Sequence, residues 1–362
     1  MNRFFSILTL LAITGVARAG EKPQLNSLTE EEIRAGWLLL FDGATTFGWK
    51  TEGDVKVEDG ALVVDAEKAA SIETTTSFGY GKIVFEFNRK GDVRFSGAGY
   101  SLPFAGERVR DFWTTCTGTF PAEEPNQPAW TIGEDQSYPR KKEVETELKK
   151  LRFEIPEGAK LRLRKIKFLP FKLEPIFNGR DLDGWKVFPG EKYKSKFSVT
   201  PEGWLNVKDG PGDLQTEKQY AHFVLQLECI SNGNMLNSGI FFRCMADQYQ
   251  KGYEAQIQNG YLNKDRTLPI DYGTGAIYRR VKARKVVSDD KKWFTMTVLA
   301  RGKHIATWVN GYQTVDWDDD RKESDNPREG CKTGKGHISI QGHDPTTDLS
   351  FRNLRIAELP AK

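Results

Sequence analysis

The ten residues from Leu40 to Trp49, LFDGATTFGW, are written again from Ile176 to Trp185 as IFNGRDLDGW. Phe, Gly, Gly and Trp keep their places: Phe41, Gly43, Gly48 and Trp49 stand against Phe177, Gly179, Gly184 and Trp185. A phrase repeated at domain spacing marks a repeated structural unit. Other echoes follow. A step of 142 carries Ile72, Thr74 and Phe78 onto Leu214, Thr216 and Tyr220, Glu86 onto Glu228, Ser96 onto Ser238 and Gly97 onto Gly239. Near the ends, LRLRKIKFLP (161–170) lies over LSFRNLRIAELP (349–360) at a step of 188. The spacing predicts two units, at about 36–170 and 173–360, and the growing step leaves the first short of a net 46 residues in its middle. A chain of 362 residues suits two domains.

Both units read as strands. KIVFEF (82–87), FVLQLEC (223–229), GIFFRC (239–244), YEAQIQ (253–258), WFTMTVLA (293–300), HIATWVNG (304–311) and HISIQG (337–342) alternate apolar and polar residues between Gly, Asn and Asp punctuation. Helical spacing occurs in LTEEEIRAGW, where Thr29 precedes three Glu residues, and in KKEVETELKKL (141–151). Many short strands without crossover helices predict an all-β protein, two tandem antiparallel β-sandwiches. In Pro121 to Lys150, rich in Pro and charge, the sequence predicts an insertion packing over the first frame or linking it to the second.

Arg3, the apolar run Phe4 to Val16 and the small residues of Ala17 to Ala19 form a signal peptide over 1–19, so the expected location is periplasmic or extracellular. The apolar run is short for a membrane span. Removing it takes away Arg3 and Arg18 and brings the net charge from +3 to +1, which provides no general pull on nucleic acid or on membrane lipid. Cys116, Cys229, Cys244 and Cys331 form no CxxC pair and indicate no zinc site. Cys229 and Cys244 end neighbouring strand-like runs and are either a disulfide or two buried thiols.

The second unit carries FNGRDLDGW, NSGIFFR, YEAQI, TGAIY, WVNG and ISIQGHD in that order. As an ordered set these motifs resemble the 3-keto-disaccharide hydrolase family over nearly all of 173–360. The resemblance implies a concanavalin A-like jelly-roll sandwich of the lectin/glucanase type, with sugar bound on a concave sheet. The first unit keeps the opener and closer, with no counterpart to YEAQI, TGAIY or WVNG.

Pleat geometry reads the same way. Alternate side chains share a face. Glu254, Gln256 and Gln258 oppose Tyr253, Ala255 and Ile257; Ser339, Gln341 and His343 oppose Ile338 and Ile340; Phe241 and Arg243 oppose Phe242 and Cys244. His304, Trp308 and Asn310 join the polar face if their strand pairs in the same sense. Amides, a carboxylate, an Arg, a His and an aromatic plate suit a sugar. Singly each has a plainer reading: solvated Gln and Glu, a loop His343, a Trp308 in the core or as a hairpin lid, a surface Arg243 with a buried stem. The overlay puts Ser101 at Arg243, Phe153 at Gln341 and Ile155 at His343, so the first unit is a frame without a site. The acidic DWDDD (316–320) lacks EF-hand spacing and reads as a solvated turn.

A retaining glycosidase needs two carboxylates about 5 Å apart, and YEAQIQ offers Glu254 followed by amides. The family's inferred chemistry needs one base: a C3 ketone acidifies the C2 proton, elimination expels the glycosidic oxygen, and hydration completes hydrolysis. The assignment is then Glu254 or His343 as base, Arg243 at the enolate, Gln256, Gln258, Gln341, Asn310 and Tyr278 on hydroxyls, and Trp308 stacking. The expected partner is an oligosaccharide or keto-sugar. No cofactor is called for; a divalent metal at the ketone stays open, with no ligand cluster to announce it. The alternative is a non-catalytic, lectin-like carbohydrate-binding protein using the same face.

Overall fold

The structure, a computed structural model, describes residues 25–97, 100–104, 113–120, 129–134, 136–138 and 148–360. Alternation builds its strands. Gly81–Lys90 buries Ile83, Phe85 and Phe87 and leaves Lys82, Val84 and Glu86 half-buried on the opposite face. Among the described residues one α-helix forms, Glu30–Ala35. Thr29 Oγ1 accepts from the Glu32 amide and the Glu32 carboxylate accepts from the Thr29 amide, a reciprocal cap at 3.1 Å each way.

Four antiparallel sheets make two sandwich-like domains. The first pairs an eight-stranded sheet, in the order 136–138, 130–132, 114–120, 81–90, 160–170, 61–65 and 55–58 with 38–39 also on 160–170, with a five-stranded sheet, 49–52, 70–74, 152–155, 93–97 and 100–104. The second repeats the order strand for strand: 312–318, 304–309, 294–301, 223–231, 348–358, 205–208 and 196–199 with 174–175 on 348–358, against 185–187, 212–220, 336–342, 238–244 and 253–257. The two openers fold alike, Trp49 Nε1 donating to the Leu40 carbonyl and Trp185 Nε1 to that of Ile176. Both long closing strands bulge at a residue of positive φ, Lys165 and Asn353.

The strand Trp130–Ile132 and its neighbour Gln136–Tyr138 lie inside the stretch expected to be an insertion, in the place the 304–309 and 312–318 hairpin takes in the second sandwich. The first unit therefore does keep a counterpart to the WVNG hairpin. The leader 1–19 and residues 141–147 of the expected second helix lie outside the described residues. What is described at its end is extended, Lys149 bridging Phe78. No helix among the described residues is long and apolar enough to cross a membrane. All four cysteines are free and buried, Cys229 and Cys244 being in opposite sheets of the second sandwich.

Each sandwich has its own apolar core, and the first also covers the outer face of the second's eight-stranded sheet. Val224, Leu299, Ala306 and Trp308 belong to the first sandwich's cluster. Polar contacts fasten this seam: Gln226 Nε2 donates to the Gly36 carbonyl at 2.8 Å, the Leu39 amide to the Gly311 carbonyl at 2.8 Å, and Arg284 pairs with Asp42 at 2.5 Å. The outer face of the second sandwich's five-stranded sheet belongs to the other side of that sandwich from the seam.

Candidate active site

Two rows of side chains pave that face. Gln215 lies opposite Ser339, Ser339 opposite Phe241, and Phe241 opposite Glu254. In the next row Asp213 lies opposite Gln341, and Gly239 opposite Gln256. The other faces of the same strands, with Leu214, Ile240, Phe242, Tyr253, Ala255, Ile257, Ile338 and Ile340, form the core. The period-two expectation for Glu254, Gln256, Ser339 and Gln341 thus matches the side each takes.

This floor is polar yet covered: Asp213, Gln256 and Ser339 are fully buried and Gln215, Glu254 and Gln341 nearly so. Asp213 Oδ1, Gln215 Nε2, Gln256 Oε1, Ser339 Oγ and Gln341 Oε1 have no hydrogen-bond partner, and neither has the neighbouring Asn237 Oδ1. Folded proteins pair nearly all such atoms, because an unpaired buried polar group costs about 1–3 kcal/mol. Six such atoms gathered on one floor are a marked departure from that rule.

Charge is placed among them. Arg328 Nη2 binds Glu254 Oε2 at 2.7 Å, its Nε donates to the Gln250 carbonyl at 3.2 Å, and its guanidinium lies 5.0 Å over the Phe241 ring. The loop carrying Arg328 is fixed from below. Tyr253 donates its O–H to Asp319 at 2.6 Å, and Arg321 binds Asp319 through Nε and Nη2 while Nη2 also reaches the Pro327 and Gly330 carbonyls. Gly239 makes room for Glu254, since a Cβ there would stand 2.8 Å from Glu254 Cγ and Oε1. Burial pushes the Asp213 carboxyl up to about 7, with the bond from the Gln250 amide pulling down and the Glu254 charge adding to the rise. Burial also raises Glu254; Arg328 and His343 oppose that rise and Asp271 adds to it.

Aromatic rings flank the floor. Phe188, Tyr193 and Tyr249 cluster with centroids 4.4–5.6 Å apart, next to Gln250, whose amide bonds Asp213. Tyr272 and Tyr278 pair at 5.3 Å beyond Glu254, the Tyr278 amide donating to the Glu254 carbonyl.

Of the residues expected at the site, Glu254, Gln256 and Gln341 are on the floor and Tyr278 at its rim. His343 is exposed, bonded to Asp344 at 2.8 Å, and close enough to Glu254 to act on its ionisation. Several expectations are corrected. Arg243 sits on a bulge of positive φ between Phe241 and Cys244; fully buried, it binds the carbonyls of Ala221, Gly302 and Lys332 at 2.8 Å each. Burial pulls its pKa down to about 10. Trp308 is buried in the seam with the first sandwich, since strand 304–309 belongs to the other sheet. Asn310 closes its hairpin through the Thr295 amide and Val287 carbonyl. Gln258 ties its loop through the Met235 carbonyl and Gly260 amide. His304, also expected on this face, lies in the seam against Asp316, Asp318 and Thr76. The DWDDD run is a set of partners rather than a solvated turn: Asp316 and Asp318 flank His304, Asp319 is buried on Arg321, and Asp320 pairs with Lys303.

Sequence reasoning passed over Asp213, Gln215, Asn237, Asp271 and Arg328. Alternation in GDLQTE sets Asp213 and Gln215 on one face and could have found them; Arg328 arrives on a loop and no local pattern announces it. Among the described residues no group of three or more His, Cys, Asp or Glu is placed to hold a metal.

The first sandwich shows the same face filled differently. The ladder pairs Phe153 with Ile72 and Leu214 with Ile340, so Phe153 answers to Ile340 rather than Gln341, and the overlay was one residue out of register. Phe153 and Ile155 are core. Ser101 pairs with Ser96 one strand further along and does not answer to Arg243. Outward stand Glu52, Glu73, Arg152 and Glu154, joined in ion pairs of 3.3–3.9 Å. That face is self-satisfied.

Residues 172–357 match the model of the 3-keto-alpha-glucoside-1,2-lyase-like domain. No curated protein matches the sequence. Solved structures that resemble the chain include a "putative glycosyl hydrolase" from Parabacteroides distasonis ATCC 8503, at 22% identity over 52% of this chain and 94% of that one, TM-score 0.43. A second structure of that name and source has 26% identity over 52% of this chain and 100% of that one, TM-score 0.41. The carbohydrate binding module CBM66 from Bacillus subtilis has 15% identity over 50% and 99%, TM-score 0.37.

Proposed function

This chain belongs to the 3-keto-alpha-glucoside-1,2-lyase-like family, and we propose that its second sandwich cleaves 3-keto-glycosides by abstracting the C2 proton. The observation that carries the reading is the buried polar floor around Asp213 and Glu254, two carboxyls with raised pKa among unpartnered amide and hydroxyl atoms. Perturbed acids in a polar recess are the means of proton transfer near neutrality.

Glu254 takes the C2 proton, and the C–H electrons form the enolate whose charge rests on the C3 oxygen. Arg328, beside Glu254, stabilises that charge. The ketone then re-forms, a C1–C2 double bond appears and the C1–oxygen bond breaks. Asp213, kept protonated by burial, gives its proton to the leaving oxygen. Water next adds across the double bond: its hydroxyl goes to C1, its proton returns to Asp213, and the proton on Glu254 returns to C2. Both groups are restored and the net reaction is hydrolysis. The aromatic clusters at Tyr249 and Tyr278 take the stacking role expected of Trp308. The first sandwich is proposed as a shortened copy, kept as backing for the second.

A second reading has an observation in its favour. Asp213 is a second carboxyl on the same floor, near enough for the Glu254 charge to act on it, and direct displacement at C1 calls for such a pair. One experiment separates the readings. The protein is incubated in D2O with methyl 3-keto-α-glucoside and with methyl α-glucoside. Release of methanol from the keto form alone, with deuterium at C2, is expected. Cleavage of the unoxidised glucoside without C2 exchange supports direct displacement, and binding without cleavage of either supports the lectin-like alternative.

A further inference from the structure

We infer that Asp271 is a positioning residue that sets the hydrogen-bond polarity of the site and makes it a reader of hydroxyl donors on a neutral sugar. This rests on the sugar-binding part of the reading above and is independent of the keto chemistry. Asp271 Oδ2 accepts from Asn237 Nδ2 at 2.7 Å and from Gln256 Nε2 at 2.9 Å, and the Asp271 carbonyl accepts from Gln256 Nε2 again at 3.1 Å. A side-chain amide has a donor end and an acceptor end. With both NH2 ends drawn to one carboxylate, both carbonyl ends are turned elsewhere: Asn237 Oδ1 and Gln256 Oε1 are buried and unpartnered. Gln341 Oε1 is a third such carbonyl on the same floor.

A carbonyl can only accept, so its complement is an O–H. A sugar hydroxyl supplies one; a fluorine or an ionised carboxylate does not. The charges point the same way. Glu254 lies on the floor and the Asp271 carboxylate against its amides, while burial keeps the Asp213 carboxyl neutral, and the Arg328 guanidinium is already bonded to Glu254 and the Gln250 carbonyl. An anionic sugar would meet like charge there. The backbone holds the device in place. Asp271 (φ 44°, ψ 51°) and Tyr272 (φ 71°) are successive non-glycine residues in the left-handed region, a conformation that persists where the surroundings over-determine it.

The test is titration calorimetry with methyl α-glucoside, its monofluorinated deoxy analogues and methyl α-glucuronide, on wild type, Asp271→Ala and Asp271→Asn. Wild type is expected to bind the glucoside and to lose about tenfold or more for the glucuronide and at least one fluoro analogue. Asp271→Ala frees the amides to rotate, so the gap between hydroxyl and fluorine closes to within about twofold. Asp271→Asn, whose Oδ1 can accept the same two N–H bonds, keeps the gap. A purely structural role would weaken all ligands alike and leave the gap open in Asp271→Ala. That result overturns the inference, as does a wild type that binds none of the sugars or binds the glucuronide equally well. Should Asp271→Ala fail to fold, loss of the gap in a folded Asp271→Asn overturns it as well.

Discussion

Replacing Asp213 by Asn should stabilise this protein while stopping its chemistry, and the gain should depend on pH. Asp213 is fully buried; its Oδ2 accepts from the Gln250 amide at 3.2 Å and its Oδ1 from nothing. Burial pushes its pKa to about 7, against about 3.9 in an unfolded chain. Below about pH 4 both states hold the proton and the residue costs nothing. As the pH rises, the unfolded chain ionises freely while the folded one keeps its proton or ionises in a dry site. The penalty grows by about 1.4 kcal/mol per pH unit and levels off near neutrality at about 4 kcal/mol, an upper bound. Asn copies the neutral acid and does not titrate. At about 2–4 °C per kcal/mol for a domain of this size, the Tm of Asp213→Asn should exceed wild type by several degrees at pH 8 and match it at pH 4. Scanning calorimetry at pH 4, 6 and 8 reads this directly, and turnover of a 3-keto-glucoside should fall with little change in KM. A Tm difference that is the same at all three pH values would refute the reasoning.

The two arginines should part company. Arg243→Ala leaves three carbonyls unpaired in the interior and should cost roughly 3 kcal/mol or more, seen as a lower Tm, whereas Arg328→Lys should keep the Tm within a few degrees and lower kcat about a hundredfold. Trp308→Ala should cost about 3–5 kcal/mol by emptying the seam, with KM unchanged in whatever protein stays folded. His304 gives the seam a pH dependence: burial pulls its pKa down, but Asp316 and Asp318 outweigh burial and raise it. Its contribution is therefore complete below about pH 6.5 and fades as the pH climbs through the raised value; His304→Gln should abolish that decline in a Tm series from pH 6 to 9.

The strands were legible because their cause is local. A side chain two residues on returns to the same face whatever lies around it, so YEAQI and HISIQG told which side of their sheet Glu254, Gln256 and Gln341 take, and the many short alternating strands told of antiparallel sandwiches. Two residues that alternation alone would place at the site are not there. The bulge at Arg243 interrupts the alternation and turns that side chain inward to three carbonyls. Trp308 alternates as expected, but its strand lies in the sheet whose outer face the first sandwich covers.

Pattern along the chain, then, determined which residues become strands and which side of each strand is polar, because backbone geometry imposes a period of two within a few residues. Tertiary structure decided which polar sides meet. It brought Asp213 to the sheet that holds Glu254, sent Arg328 in on a loop from beyond residue 319, and set Asp271 beneath two amides. Those meetings depend on strand order and loop anchoring over tens of residues, where no repeat in the sequence records who the neighbour will be.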